Sequence, residues 1–181
     1  MKRLSKNKGI LFWVTGLSGS GKTSLAKKIF SYIEKKHGPT IILSGDDIRK
    51  IFELNNFSYN ARYRYASSYS RLCKKITDGK INVILATVSL FHRVRSWNRK
   101  NIKNYVEIYI KSDIEKVIKK KKKFFYKKKF KNIVGKNLRA EFPKSPDIVI
   151  KNNFDKSIEK LSKELIKKIK LLNGQKFYEK I

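Results

Sequence analysis

Eight consecutive residues, Gly16-Leu17-Ser18-Gly19-Ser20-Gly21-Lys22-Thr23, fit the spacing G-x-x-x-x-G-K-S/T. That spacing suits the binding of a nucleotide's phosphates. Glycines let the main chain turn tightly and approach a ligand with no Cβ in the way. Successive N–H groups then point into one concavity and donate to phosphate oxygens. Lys22 is placed to reach the β- and γ-phosphates of ATP, and the Thr23 hydroxyl to bind Mg²⁺. All eight residues are therefore expected at the nucleotide.

A second set of reactive side chains lies in Ser44-Gly45-Asp46-Asp47-Ile48-Arg49. Acidic residues that end a parallel strand lie on the ligand side of an open α/β sheet. Asp46, on a strand expected beside the phosphate loop, is read as the group that orients Mg²⁺ or accepts a hydroxyl proton. The two aspartates also suit capping of a short helix suggested by Ile48, Ile51 and Phe52. Further on, Arg62, Tyr63, Arg64, Tyr65, Tyr69 and Arg71 interleave on one helical stretch. Tyrosine and arginine in that pattern stack on a base and pair with phosphate, or pack on the sheet and face solvent. His92 has no evident partner for a triad or a metal site. Between Lys119 and Lys131, nine of thirteen residues are lysine, interrupted by Phe124, Phe125, Tyr126 and Phe130. The run reads as a basic lid, a solvated helix end or a nucleic-acid patch.

These side chains need strands and helices to hold them. Ile10 to Val14 is an apolar run that leads straight into the loop, and Leu25, Ala26, Ile29, Phe30 and Ile33 repeat at helical spacing after it. The helix is expected over about 23–36, stopped by His37-Gly38-Pro39. Further strands are expected at 40–43, 82–88, 105–110 and 147–150, and further helices at 58–78 and 94–102. Ser112-x-x-Glu115 suggests a capping box for the next helix. Asp155 is the expected cap of a closing helix striped with Ile158, Leu161, Leu165, Ile169 and Leu172, and Asn173-Gly174 its expected end. Strands alternating with helices predict an α/β fold: a mostly parallel sheet of about five strands, covered by helices on both faces.

The chain of 181 residues carries 45 Lys+Arg against 14 Asp+Glu, a net charge of +31. Such a field attracts polyanions of any kind, and a nucleic-acid partner is allowed but not favoured over a lysine-rich compositional habit. The 40% hydrophobic content excludes a disordered polyelectrolyte. One cysteine, Cys73, sits in a helical pattern and reads as a buried small hydrophobe in a reducing, cytoplasmic protein. No apolar run approaches the roughly 18 residues of a membrane span.

The motifs resemble those of adenylylsulfate kinases, phosphate-loop enzymes that phosphorylate the ribose 3′-hydroxyl of a nucleoside 5′-phosphosulfate. The resemblance runs from about Ile10 to Asn152. Gly-Leu-Ser-Gly-Ser-Gly-Lys-Thr is the family's form of the loop. Gly45-Asp46-Asp47-Ile48-Arg49 is similar to its Asp-Gly-Asp-Asn-Ile-Arg, and Phe57-Ser58 with Arg62 to its Gly-Phe-Ser and downstream arginine. Ser89-Leu90-Phe91 stands where the family has Ser-Pro-Tyr, and 143–149 is similar to its Pro-x-x-Pro-Asp/Glu-Leu-Val. The stretches 89–92, 97–102 and 104–105 look most like a short subgroup linked to surface-polysaccharide synthesis, in which the acceptor can be a nucleoside diphosphoramidate such as cytidine diphosphoramidate.

The resemblance implies a P-loop kinase-type three-layer sandwich, one domain over 1–181, with a lid at about 119–142. It implies ATP and Mg²⁺ as cofactors, Lys22 and Asp46 as catalytic residues, and Thr23 and Asp46 at the metal. Arg49 and Arg62 would hold the acceptor's phosphates, Phe57 would stack on its base, and Ser89 matches a serine that some members carry phosphorylated. The partners it implies are a small-molecule nucleotide and, optionally, a second copy in a homodimer. The chain departs from the pattern at Ser44, Tyr65, Lys120-Lys121, Ile133 and Asn137, where the family has Asp, Asn, Arg-Asp, Phe and Asp. An inactive ATP-binding homologue and a nucleic-acid-binding protein are the remaining readings.

Overall fold

In β1, Ile10–Gly16, every residue is buried, and its side chains alternate between two cores. Ile10, Phe12 and Val14 face one helical layer, while Leu11 and Trp13 face the other. A strand apolar on both faces belongs in the middle of a parallel sheet. The computed structural model of the protein describes residues 8–121, 134–136 and 138–177 and places β1 there.

The elements that follow are α1 (Lys22–His37), β2 (Thr40–Ser44), α2 (Gly45–Ile51), α3 (Tyr59–Asp78), β3 (Asn82–Thr87) and α4 (His92–Asn101). Then come β4 (Asn104–Lys111), α5 (Ile114–Lys121), β5 (Ile148–Lys151) and α6 (Ile158–Phe177). The strands form one parallel sheet in the order β2-β3-β1-β4-β5. Helices α1 and α6 cover one face through Leu25, Ile29, Ile33, Leu161, Leu165 and Ile169. Helices α2, α3 and α4 cover the other through Ile48, Ala66, Tyr69, Cys73 and Val94. The expected α/β three-layer architecture with five strands is the one observed.

Four local expectations are corrected. Strand β2 is not the neighbour of β1, because β3 lies between them. Alternation of elements does not encode strand order. The cap of α5 is Asp113 rather than Ser112: its carboxylate accepts from Glu115 N at 2.8 Å and Lys116 N at 3.2 Å. A carboxylate also complements the positive end of the helix, which a hydroxyl does not. The cap of α6 is Ser157, whose Oγ accepts from Lys160 N at 3.2 Å, and Asp155 lies outside it. Helix α6 runs through Gly174 to Phe177. A glycine costs a helix only about 1 kcal/mol and does not oblige it to stop. The lysine-rich 122–131, Ile133 and Asn137 lie outside the described residues.

Cys73 sits on the sheet-facing side of α3 with no exposure, and burial pushes its thiol up to about 12. It is therefore a thiol, not a thiolate, at neutral pH. A chromogenic disulfide reagent is expected to leave the native protein untouched and to titrate one thiol in guanidinium. Fast reaction with the native protein would show that α3 opens.

Candidate active site

The phosphate loop leaves the centre of the sheet where β1 ends between β3 and β4. Gly16 pairs with Ile110 across β4 at φ 150°, and a Cβ there would lie 2.5 Å from the Ile110 carbonyl oxygen. Only glycine fits that approach. Gly21 takes φ 92° as the N-cap of α1. It brings no capping side chain, and the first turn of α1 holds no acidic residue. The first N–H groups of a helix have no partners inside the helix, and their dipole favours an anion. Here no side chain of the cap competes for them. The Lys22 ammonium, mostly buried, folds over the loop and donates to Leu17 O at 2.6 Å. The Ser20 hydroxyl is buried with no partner among the described residues, and Thr23 is exposed.

One clamp on this loop is invisible in the sequence. The Asn152 amide donates to Ser20 O at 2.9 Å, and its own oxygen accepts from Phe154 N at 3.1 Å. The two ends are 132 residues apart, and no short-range pattern announces the contact.

Two strands away, Ser44 ends β2 and caps α2. Its Oγ accepts from Asp47 N at 3.1 Å and donates to the Asp47 carboxylate at 2.7 Å. Asp47 is thus taken up by the cap, while Asp46 projects outward with its side chain 84% exposed and pairs with Arg49. Between β2 and the loop stands the end of β3. Thr87 and Ser89 share a hydrogen bond of 2.8 Å, and the Thr15 hydroxyl donates to Val88 O at 2.8 Å. Strands are spaced about 4.8 Å apart, so β2 and β1 are about 10 Å apart across β3.

On this side of β3 an open cleft lies among α2, α3, the β3 end, Val134, Leu138 and Arg139. Arg49, Phe57, Arg62 and Ser89, all singled out in the sequence, line it together. The two guanidinium groups sit over the Phe57 ring at 5.8 and 5.1 Å, and Arg62 Nε donates to Phe57 O at 2.9 Å. Burial and the charge of Arg49 both lower the proton affinity of Arg62. An anion placed there would oppose both by direct attraction. From α3 the cleft also takes Tyr59, Tyr65 and Tyr69, and burial pushes the Tyr69 phenol up. Arg64 is exposed, Tyr63 meets the Phe91 ring edge-on at 5.6 Å, and Arg71 lies over Trp97 at 5.6 Å. Asp46 and the phosphate loop are not among the residues that line this cleft.

Sequence reasoning passed over Arg139 and Glu141. Arg139 lines the cleft, and Glu141 fastens its segment. Glu141 N donates to Leu90 O at 3.1 Å, its carbonyl accepts from Arg95 at 2.6 Å, and its carboxylate accepts from His92 N and from the Tyr59 hydroxyl. One signal was present: Arg139 is the only arginine in the basic span 119–144, all of whose other cations are lysine. Arginine is the residue suited to forked anion recognition. His92 serves the local structure, as its Nδ1 meets Arg95 at 2.8 Å.

Beneath α4 lies a buried charge network. Arg95 Nε is 3.3 Å and Arg99 Nη2 2.9 Å from the Glu107 carboxylate. Asp147 accepts from Glu107 N at 2.8 Å and lies 3.4 Å from Arg99. Burial pushes the Glu107 carboxyl up while both guanidinium groups oppose the shift. Among the described residues, no three of His, Cys, Asp and Glu gather as a metal site. A magnesium ion here would have to take most of its ligands from phosphates and water, the usual habit of that ion.

Comparison with known proteins fits this geometry. The adenylylsulphate kinase family model matches residues 8–151. The chain is similar to the cytidine diphosphoramidate kinase of Campylobacter jejuni, 32% identical over 170 residues that cover 92% of this chain and 99% of that protein. It is also similar, 32% identical over 160 residues, to an adenylyl-sulfate kinase of Clostridium kluyveri, with 85% of this chain and 80% of that protein covered. The fold matches the Mycobacterium tuberculosis APS kinase solved with AMPPNP and APS at a TM-score of 0.78 and 24% identity, covering 90% of this chain and 98% of that one. The family match over most of the length and the phosphate loop at the sheet's centre agree, and the chain belongs to the adenylylsulphate kinase family.

Proposed function

We propose that the protein transfers the γ-phosphoryl group of MgATP to the ribose 3′-hydroxyl of a nucleoside 5′-phosphosulfate, adenylylsulfate, giving ADP and the 3′-phosphorylated nucleotide. The observation that carries this reading is the uncapped start of α1 with Lys22 folded beside it, set against a cleft holding two arginines over an aromatic ring. Residues Gly16 to Thr23 would cradle the triphosphate. Thr23 and Asp46 would share the magnesium ion that arrives with ATP. Arg49 and Arg62 would hold the acceptor's anionic groups, Phe57 its base, and Ser89 the cleft floor. Asp46 would take the hydroxyl proton as the Pγ–O bond to ADP breaks and the bond to the 3′ oxygen forms. The space across β3 is where the phosphoryl group would pass.

A second reading keeps the same chemistry on cytidine diphosphoramidate. The match to the C. jejuni enzyme along 99% of its length favours it. So does Ile133, an aliphatic residue where the family has a base-stacking Phe. A coupled ADP-release assay with both acceptors separates the two. Asp46→Asn is expected to cut turnover at least about a hundredfold with the melting temperature unchanged. Near-normal turnover in that variant would remove Asp46 from the chemistry. Absence of ADP release with either acceptor would reject the kinase reading.

A further inference from the structure

Arg139 has no role in the reading above, which assigns the acceptor's charge to Arg49 and Arg62. Among the described residues the cleft is nonetheless lined by three arginines and by no carboxylate. They come from three separate parts of the chain: α2, the first turn of α3, and the segment that leads to β5. Both nearby acids already have partners. Asp46 pairs with Arg49, and Glu141 is committed to His92 N and the Tyr59 hydroxyl.

Arg139 does not sit on a loose loop. Two residues on, Glu141 is fixed at four points, to Leu90, Arg95, His92 and Tyr59. On the other side, Gly135 N donates to Leu138 O at 2.9 Å. The guanidinium is therefore presented from anchored backbone, and its charge bears on Tyr59 and His92 at the same rim.

Arg139 adds a third cation to a lining in which Arg62 already feels the charge of Arg49. Asp46 offsets Arg49, so a single acceptor charge held by Arg62 leaves Arg139 with no anion to read. We propose that Arg139 is a third acceptor-contacting guanidinium that selects nucleotides carrying two phosphoryl-type groups on the 5′ side over those carrying one. A phosphosulfate and a diphosphoramidate share that feature, and Arg139 reads the distal group in either. Forked hydrogen bonds to a tetrahedral oxyanion are what a guanidinium does best. This inference rests on the kinase reading and names the acceptor class of the same site.

The test uses Arg139→Ala and Arg139→Lys in the full chain. The acceptor KM is measured with adenylylsulfate and with cytidine diphosphoramidate, alongside the KM for ATP. Cytidine 5′-diphosphate and 5′-monophosphate are then titrated calorimetrically as probes. Arg139→Ala is expected to raise the acceptor KM about tenfold and to leave the ATP KM unchanged, as loss of one charge-assisted contact implies. The preference for diphosphate over monophosphate is expected to collapse by a similar factor, with partial retention in Arg139→Lys. An unchanged acceptor KM overturns the inference. So does equal weakening of both probes, which would mark a general field rather than a contact. If the alanine variant fails to fold, the lysine variant decides by the same ratio. If the unmodified protein turns over neither acceptor, the kinase reading fails by itself, and the two calorimetric probes still decide whether Arg139 reads the second group.

Discussion

Lys22→Ala is expected to lower turnover about a thousandfold, the upper range for removal of one charged or hydrogen-bonding contact from a preorganised anion site. The reason is local. The ammonium is held over the loop by the Leu17 carbonyl and is mostly buried, so a triphosphate meets a cation already in place. Charge that develops on the transferring group as the bond to ADP loosens has no other cation in the loop to meet it. The same variant is expected to keep its melting temperature or to raise it slightly. A mostly buried ammonium is a cost to the folded state that alanine does not carry. Helix α1 itself is held by Leu25, Ala26, Ile29 and Ile33, which the change leaves alone. ADP release and thermal denaturation measured on one preparation check both halves. Turnover within tenfold of the unmodified protein would remove Lys22 from its role.

Glu107→Ala carries the largest expected loss of stability. Glu107 and Arg95 are 3% and 4% exposed, and among the described residues Glu107 is the acid in ion-pair contact with Arg95. Removing it takes the ion-pair partner from a buried guanidinium, which costs about 3–5 kcal/mol. Folded domains hold only about 5–15 kcal/mol in all. Urea denaturation should show the midpoint falling by about a third or more with little change in slope. Arg99→Ala is the control. Its side chain is 41% exposed, and its loss leaves Glu107 paired with Arg95. That change is expected to cost about 1 kcal/mol or less. A Glu107→Ala midpoint no lower than that of Arg99→Ala would show that the network does not hold α4 on β4.

The parts of this molecule written locally were legible. Apolar runs bounded by turn residues placed all five strands within two residues of where they lie, and strand, loop and helix surrounding Gly16 to Thr23 were read together. Helix ends were less secure, because Ser112 and Asp113 compete for one cap and Gly174 tolerates a helix that continues. What depends on strand order was not legible. Asp46 was expected beside the phosphate loop, and β3 separates them. Glu107 was hidden inside the apolar strand Asn104–Lys111, and Arg95 looked like any cation on a helix. Asn152 and Arg139 act across long sequence separations, so their neighbours are set by the fold rather than by the residues beside them.

The position of β1 also governs how the chain can be made. It is made before the other four strands of the sheet, yet its partners are β3 and β4, and Ile10 aligns with Asn104. At roughly 5–20 residues per second, synthesis of the intervening chain takes about 5–20 s. Until β3 follows, an almost wholly apolar segment has no neighbour on either edge, and its β4 edge stays open for the whole interval. The nascent protein is then most open to capture by a chaperone, or by another unfinished copy on the same polysome.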